Sequence, residues 1–141
     1  MEMPVTVASD KTTGEGLAET LLEGVVNEPM RAATKLLGAH GDGYWLRRLT
    51  GDQELATMVD HPLIDLSGRY PTVDWDGVGH LLKIPGWSRG VSRSQAAVLE
   101  FAASLVSRCP VQIGRISHAV DDAEFQLLLG AMEEASYGDP R

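Results

Sequence analysis

The feature that most constrains the fold is a helix start signal followed by an almost wholly apolar helix. Ser92 and Gln95 stand three residues apart, the spacing of a capping box at a helix N-terminus. The residues from there to 108 are mostly Ala, Val, Leu and Phe, and the few polar ones form a narrow stripe. A helix that is apolar over most of its circumference is typical of the buried centre of a small fold. We therefore predict a central helix over 93–108.

Shorter helices are predicted around it, because apolar residues recur at spacings of three and four. The predicted ranges are 15–27, 29–37, 52–60, 74–83, 111–120 and 122–136. Gly38 is expected to end the second of these, and 44–49 fits a helix or a strand, with helix favoured. Residues 63–73 are expected to be irregular. The pattern predicts an all-α fold, a single compact irregular bundle of six or seven short helices.

The last helix is expected to begin with a second capping signal, from Asp121 to Glu124. Five of its apolar residues are predicted to share one inward face: Phe125, Leu128, Leu129, Met132 and Ala135.

Length and composition predict one globular domain over 15–137, with a flexible lead at 1–14 and a loose tail at 138–141. The chain has 141 residues, of which 43% are hydrophobic and 23% charged, as in folded proteins of ordinary size. No apolar run is long enough to span a membrane. The single cysteine, Cys109, has no internal disulfide partner, and the N-terminus is unlike a secretory signal, so a cytoplasmic location is expected.

Charge is distributed unevenly along the chain. The net charge is −8, with six acids and one base in each of the segments 1–28 and 121–141. An acidic protein disfavours nonspecific nucleic-acid binding. The segment 80–115 is locally basic, with five bases against Glu100 alone, and it can attract an anion or an acidic partner.

The loop before the central helix is the predicted interaction surface. Trp87, Arg89 and Arg93 are of the residue types most often found at binding hot spots. The alternative is that Trp87 packs onto the core while the two arginines are merely solvated.

Motifs for catalysis or cofactor binding are absent from the sequence, so no catalytic, cofactor-binding or metal-binding residue is predicted. A thiol dyad of Cys109 with His118 is considered, but packing at a helix end explains Cys109 better. Acids such as Asp74 and Asp121 stand at helix starts, where capping explains them. A small hydrolase stays an alternative, and it requires four residues to converge on one pocket: His40, Asp42, Asp60 and His61.

A nucleic-acid-linked regulator is a second alternative. Helices 93–108 and 111–120 have lengths suited to a helix-turn-helix, with Arg115 on the second helix. That alternative requires a continuous basic face made by five arginines: Arg47, Arg48, Arg89, Arg93 and Arg115. A DNA-mimic inhibitor is a variant that requires carboxylates spaced along one elongated face.

Residues 73–138 contain Val73-Asp74-Trp75-Asp76, Ser92 to Leu99, Ala102-Ala103-Ser104-Leu105 and Pro110-Val111. This region resembles the C-terminal part of small uncharacterised helical proteins of high-GC bacteria. The resemblance implies a helical fold and a bacterial accessory or mobile-element context, and it brings no functional residues with it.

The leading hypothesis is a non-enzymatic adaptor that binds another protein through the Trp87, Arg89 and Arg93 surface or through its acidic helix faces. Self-association is left open.

Overall fold

The computed structural model describes residues 13–107 and 110–137. In these ranges the chain forms eight α-helices and one two-stranded antiparallel sheet, so the all-α prediction is confirmed. The helices are α1 (Gly14–Leu22), α2 (Glu28–Ala39), α3 (Tyr44–Gly51), α4 (Gln53–Val59), α5 (Trp75–Leu82), α6 (Arg93–Val106), α7 (Ile113–Ala119) and α8 (Asp122–Tyr137). The strands are β1 (Ile64–Asp65) and β2 (Thr72–Val73). No helix of the described ranges is long and apolar enough to cross a membrane.

Both predicted capping boxes are present. The Ser92 hydroxyl accepts from the Gln95 N–H at 3.1 Å, and the Gln95 side chain accepts from the Ser92 N–H at 3.0 Å. At the start of α8, Asp121 accepts from the Glu124 N–H at 2.7 Å, while Glu124 accepts from the Asp121 N–H at 2.9 Å. These side chains satisfy backbone donors that would otherwise have no partner in the first turn.

The centre of the bundle consists of α6 and α2. The buried face of α6 includes Val98, Leu99 and Phe101, which confirms its predicted place in the core. Helix α2 packs against α1, α3, α6 and α8, and its Ala33 and Leu37 are fully buried. One cluster of buried apolar side chains extends from Ala18 in α1 to Ala131 in α8.

The predicted stop at Gly38 is wrong, because α2 continues to Ala39. Gly38 instead allows α1 to approach α2 closely. A Cβ atom at Gly38 would lie 2.6 Å from the Ala18 Cβ atom and 2.8 Å from the Gly14 carbonyl oxygen. The helix ends in a short 3₁₀ turn, His40–Asp42, in which Gly41 has a φ of +58°.

Two further expectations need correction. Helix α1 ends at Leu22 rather than near 27. The residues that follow, Gly24 and the β-branched Val25 and Val26, are poor helix formers. Asn27 then caps α2, because its side chain accepts from the Met30 N–H. The region 63–73 is not wholly irregular, since Ile64 pairs with Val73 and Asp65 with Thr72. The ambiguous segment 44–49 is helical, as favoured. The predicted tail and nearly all of the predicted lead lie outside the described residues.

Candidate functional site

The loop predicted to bind a partner is divided between the core and the surface. Trp87 is only 8% exposed, and its ring packs against Trp45 with the ring centroids 6.1 Å apart. The Trp45 indole N–H donates to the Gln95 carbonyl oxygen at 2.7 Å. Arg89 and Arg93 are exposed. Trp87 therefore attaches the loop to the core, as the alternative interpretation predicts, and little of its ring is left for a partner.

The residues considered for a hydrolase have separate partners. His40 Nε2 lies 2.8 Å from Glu124 Oε2, whereas Asp42 accepts from the N–H of the first residue of α1. His61 lies beside Asp74, with Nδ1 3.7 Å from Oδ2. In residues 13–107 and 110–137, no three His, Cys, Asp or Glu side chains are grouped closely enough to hold a metal ion.

His118 and Asp60 are the described residues that remain among the candidates for catalysis. His118 Nδ1 contacts the Gly114 carbonyl oxygen of its own helix at 2.7 Å, and Cys109 lies outside the described residues. Asp60 is exposed and ends α4 in the left-handed conformation, with φ +67°.

Three of the five arginines required for a basic face are paired with acids. Arg48 lies 2.6 Å from Asp52, and Arg115 lies 2.6 Å from Glu100. Arg47 lies 3.4 Å from the Asp42 carboxylate. Burial acts to raise the pKa of Asp52, but hydrogen bonds from Arg48 and from α4 backbone N–H groups outweigh it and lower that pKa. These guanidinium groups are therefore partly neutralised within the protein.

A cleft of about 570 Å³ beside α5 was not anticipated from the sequence. Asp76 and His80 line it from α5, Lys83 lines it from the residue just after α5, and Glu100 lines it from α6. Among the described residues, no hydrogen bond or ion pair joins the side chains of Asp76, His80 and Lys83 to one another. These three side chains therefore do not form the linked acid and base that nucleophilic catalysis uses.

The outer face of α8 is the feature of the described surface that most resembles a binding site. Phe125, Leu129 and Met132 follow one another at spacings of four and three, and they are 36%, 42% and 41% exposed. We call these three side chains the α8 stripe. They were predicted to point inward with Leu128, but α8 packs on α2 through Leu128 and Ala131 instead. The helix is apolar on more sides than its neighbours can cover.

A hydrogen bond and an ion pair fix α8 to the rest of the bundle. In its first turn, Glu124 is paired with His40, and near its C-terminal end Glu134 lies 2.9 Å from Lys35 Nζ. With the imidazole proton on Nε2, His40 donates to Glu124, and its buried Nδ1 needs no acceptor. The α8 stripe is therefore presented on a helix that is anchored near both ends.

The anchoring contacts also determine the charge state of Glu124. Burial acts to raise the pKa of this carboxyl group, but the Asp121 N–H, His40 and the Ser94 hydroxyl outweigh burial. The net result is that the pKa of Glu124 is lowered. The Glu124 carboxylate is thus occupied by contacts within the protein and is not available to bind a ligand.

The charges left exposed on α8 have one sign. Asp122 and Glu133 are exposed, and α8 contains no lysine or arginine. Asp122 precedes Phe125 by three residues, and Glu133 follows Leu129 by four, so both are helical neighbours of the α8 stripe. The site is an apolar stripe with an acidic border.

No family model, curated protein or solved structure matches the chain. The resemblance of residues 73–138 to helical proteins of high-GC bacteria therefore stays a prediction. The α8 stripe is a candidate site on the strength of its geometry.

Proposed function

We propose that this chain is a non-enzymatic protein-binding domain that docks a helix of its partner on the α8 stripe. The observation that carries the proposal is the exposure of three large apolar side chains in a row on one anchored helix. Exposed apolar residues grouped on a surface are typical of interaction sites, whereas scattered ones need no explanation.

The spacing of the stripe suits a helical partner. Residues at i, i+4 and i+7 form a continuous row along a helix, the arrangement used when one helix docks against another. The row extends over about 10 Å, which is two helical turns. The part of each side chain that is still exposed would contribute on the order of 1 kcal/mol if it were covered.

The hydrolase and the nucleic-acid regulator have less support. The four residues that a hydrolase needs are dispersed among separate contacts, and three of the five arginines that a nucleic-acid face needs are paired with acids. The Arg89 and Arg93 loop remains the competing docking surface.

The test is the binding of a defined helical probe. The glutamine peptide is a fluorescein-labelled helix of about 15 residues, with leucines at i, i+4 and i+7 and glutamines beside them. Fluorescence anisotropy should detect its binding to the wild-type protein. Leu129→Asp should weaken that binding at least about tenfold, because a carboxylate would have to be desolvated in an apolar contact.

The matched control is Leu66→Asp, which changes a leucine that is 73% exposed in the β1–β2 loop, away from α8. This variant should bind like the wild type. The proposal is wrong if the wild-type protein binds no peptide, or if Leu129→Asp and Leu66→Asp behave alike. It is also wrong if Arg89→Ala with Arg93→Ala abolishes binding while Leu129→Asp does not. Circular dichroism checks that each variant is folded.

A further inference from the structure

The acidic border of the α8 stripe identifies the chemistry of its partner. Resting on the proposed function, we infer that the segment docked on α8 is a basic amphipathic helix. Its apolar side chains cover the α8 stripe, and its lysines or arginines face Asp122 and Glu133.

The acids of α8 fall into two groups. Glu124 and Glu134 are only 17% and 16% exposed at their side chains, and they are already engaged by His40 and Lys35. Asp121 is occupied as the cap of the helix. Asp122 and Glu133 are exposed, so these two carboxylates define the charge that an incoming helix meets.

The two carboxylates lie on the same side of the stripe. At 100° per residue, Asp122 and Glu133 project within about 20° of each other around the helix axis, next to Leu129. They are three turns apart, or about 16 Å along the axis. A partner helix packed nearly parallel or antiparallel to α8 can therefore pair with both carboxylates. For this it needs two basic residues about three turns apart beside its apolar face.

A second copy of this chain does not match that border. If two α8 helices packed together in parallel through their stripes, their acidic borders would lie on opposite sides of the contact, and neither border would meet a base because α8 contains no lysine or arginine. In the antiparallel arrangement Asp122 of one helix would face Glu133 of the other, so acid would meet acid. Like charges brought together at an interface select against that partner. An anionic membrane surface is disfavoured for the same reason.

The test compares three probes that have the same leucine face. The glutamine peptide is set beside a lysine peptide and a glutamate peptide, which differ only at the two flanking positions three turns apart. Affinity should decrease in the order lysine, glutamine, glutamate. The lysine peptide should bind about threefold to tenfold more tightly than the glutamine peptide, since each exposed ion pair contributes modestly.

Two double variants separate specific pairing from the general charge of the protein. In Asp122→Asn with Glu133→Gln, the lysine and glutamine peptides should bind equally well. The control is Glu19→Gln with Glu54→Gln, which removes two exposed acids from α1 and α4 and should keep the preference for lysine. If both double variants lose the preference equally, overall charge explains it and the inference is wrong.

The outcomes distinguish this inference from the proposed function. If the glutamine peptide binds in a Leu129-dependent way but the lysine peptide binds no better, the docking surface stands and the basic partner is wrong. If no peptide responds to Leu129→Asp, the docking surface itself is wrong. Sedimentation equilibrium that shows a dimer lost in Leu129→Asp would overturn the inference in favour of a second copy. Binding to phosphatidylglycerol vesicles that Leu129→Asp abolishes would overturn it in favour of a lipid surface.

Discussion

Replacing Gly38 by alanine should destabilise the protein, although alanine is the better helix former. The added Cβ atom would lie 2.6 Å from the Ala18 Cβ atom and 2.8 Å from the Gly14 carbonyl oxygen, where carbon atoms normally approach to about 3.5–4.0 Å. These obstacles belong to the short side chain and backbone of α1, so they cannot rotate away. Helices α1 and α2 must separate by about 1 Å.

The magnitude follows from two opposing effects. Overpacking of this kind costs about 2–3 kcal/mol, whereas the replacement of glycine by alanine in a helix returns about 1 kcal/mol. The free energy of unfolding should therefore fall by about 1–2 kcal/mol, which lowers the Tm by roughly 3–8 °C for a domain of this size. Urea denaturation followed by circular dichroism measures the change directly.

Gly130→Ala is the matched control. Gly130 is also inside a helix, but no atom lies within 4 Å of its added Cβ atom. This variant should gain up to about 1 kcal/mol from helix propensity alone. If Gly38→Ala is as stable as the wild type, the close approach of α1 and α2 is wrong. If both variants lose stability, alanine does not stabilise these helices relative to glycine, and the contribution of about 1 kcal/mol assigned to helix propensity is wrong.

Two further predictions concern the core and the anchor of α8. Trp87→Ala should cost about 3–5 kcal/mol in urea denaturation, because it removes a large side chain packed against Trp45, and a loss under 1 kcal/mol would place Trp87 outside the core. Glu124→Gln should cost about 2 kcal/mol at neutral pH. Because the pKa of Glu124 is lowered from its usual value near 4.5, its carboxylate stabilises the fold fully above that pH, and this contribution is lost as the pH falls through the lowered pKa. The stability difference between the wild type and Glu124→Gln should therefore shrink with acidification below about pH 4.5, and a difference that stays constant would contradict the assignment.

Local patterns in the sequence predict the helix starts well. The pairs Ser92 with Gln95 and Asp121 with Glu124 are three residues apart, so their contacts depend only on the geometry of one helical turn. The central place of α6 follows equally directly, because its circumference is almost wholly apolar and such a helix must be buried.

The contacts that build the candidate site are not local, and this is why the sequence does not predict them. His40 and Glu124 are 84 positions apart, and their pairing depends on how α8 lies across α2. Periodicity shows that α8 is apolar on several sides, but it does not show which side packs inward. The inward prediction for Phe125, Leu129 and Met132 was wrong for that reason.

Docking of a partner helix on the α8 stripe can be observed residue by residue. The most direct measurement is a two-dimensional ¹H–¹⁵N spectrum of the labelled protein during titration with the lysine peptide. The largest shift changes should fall on residues 122–133, and Leu129→Asp should abolish them. Shift changes concentrated at Arg89 and Arg93, or in the loop between β1 and β2, would contradict docking on the α8 stripe.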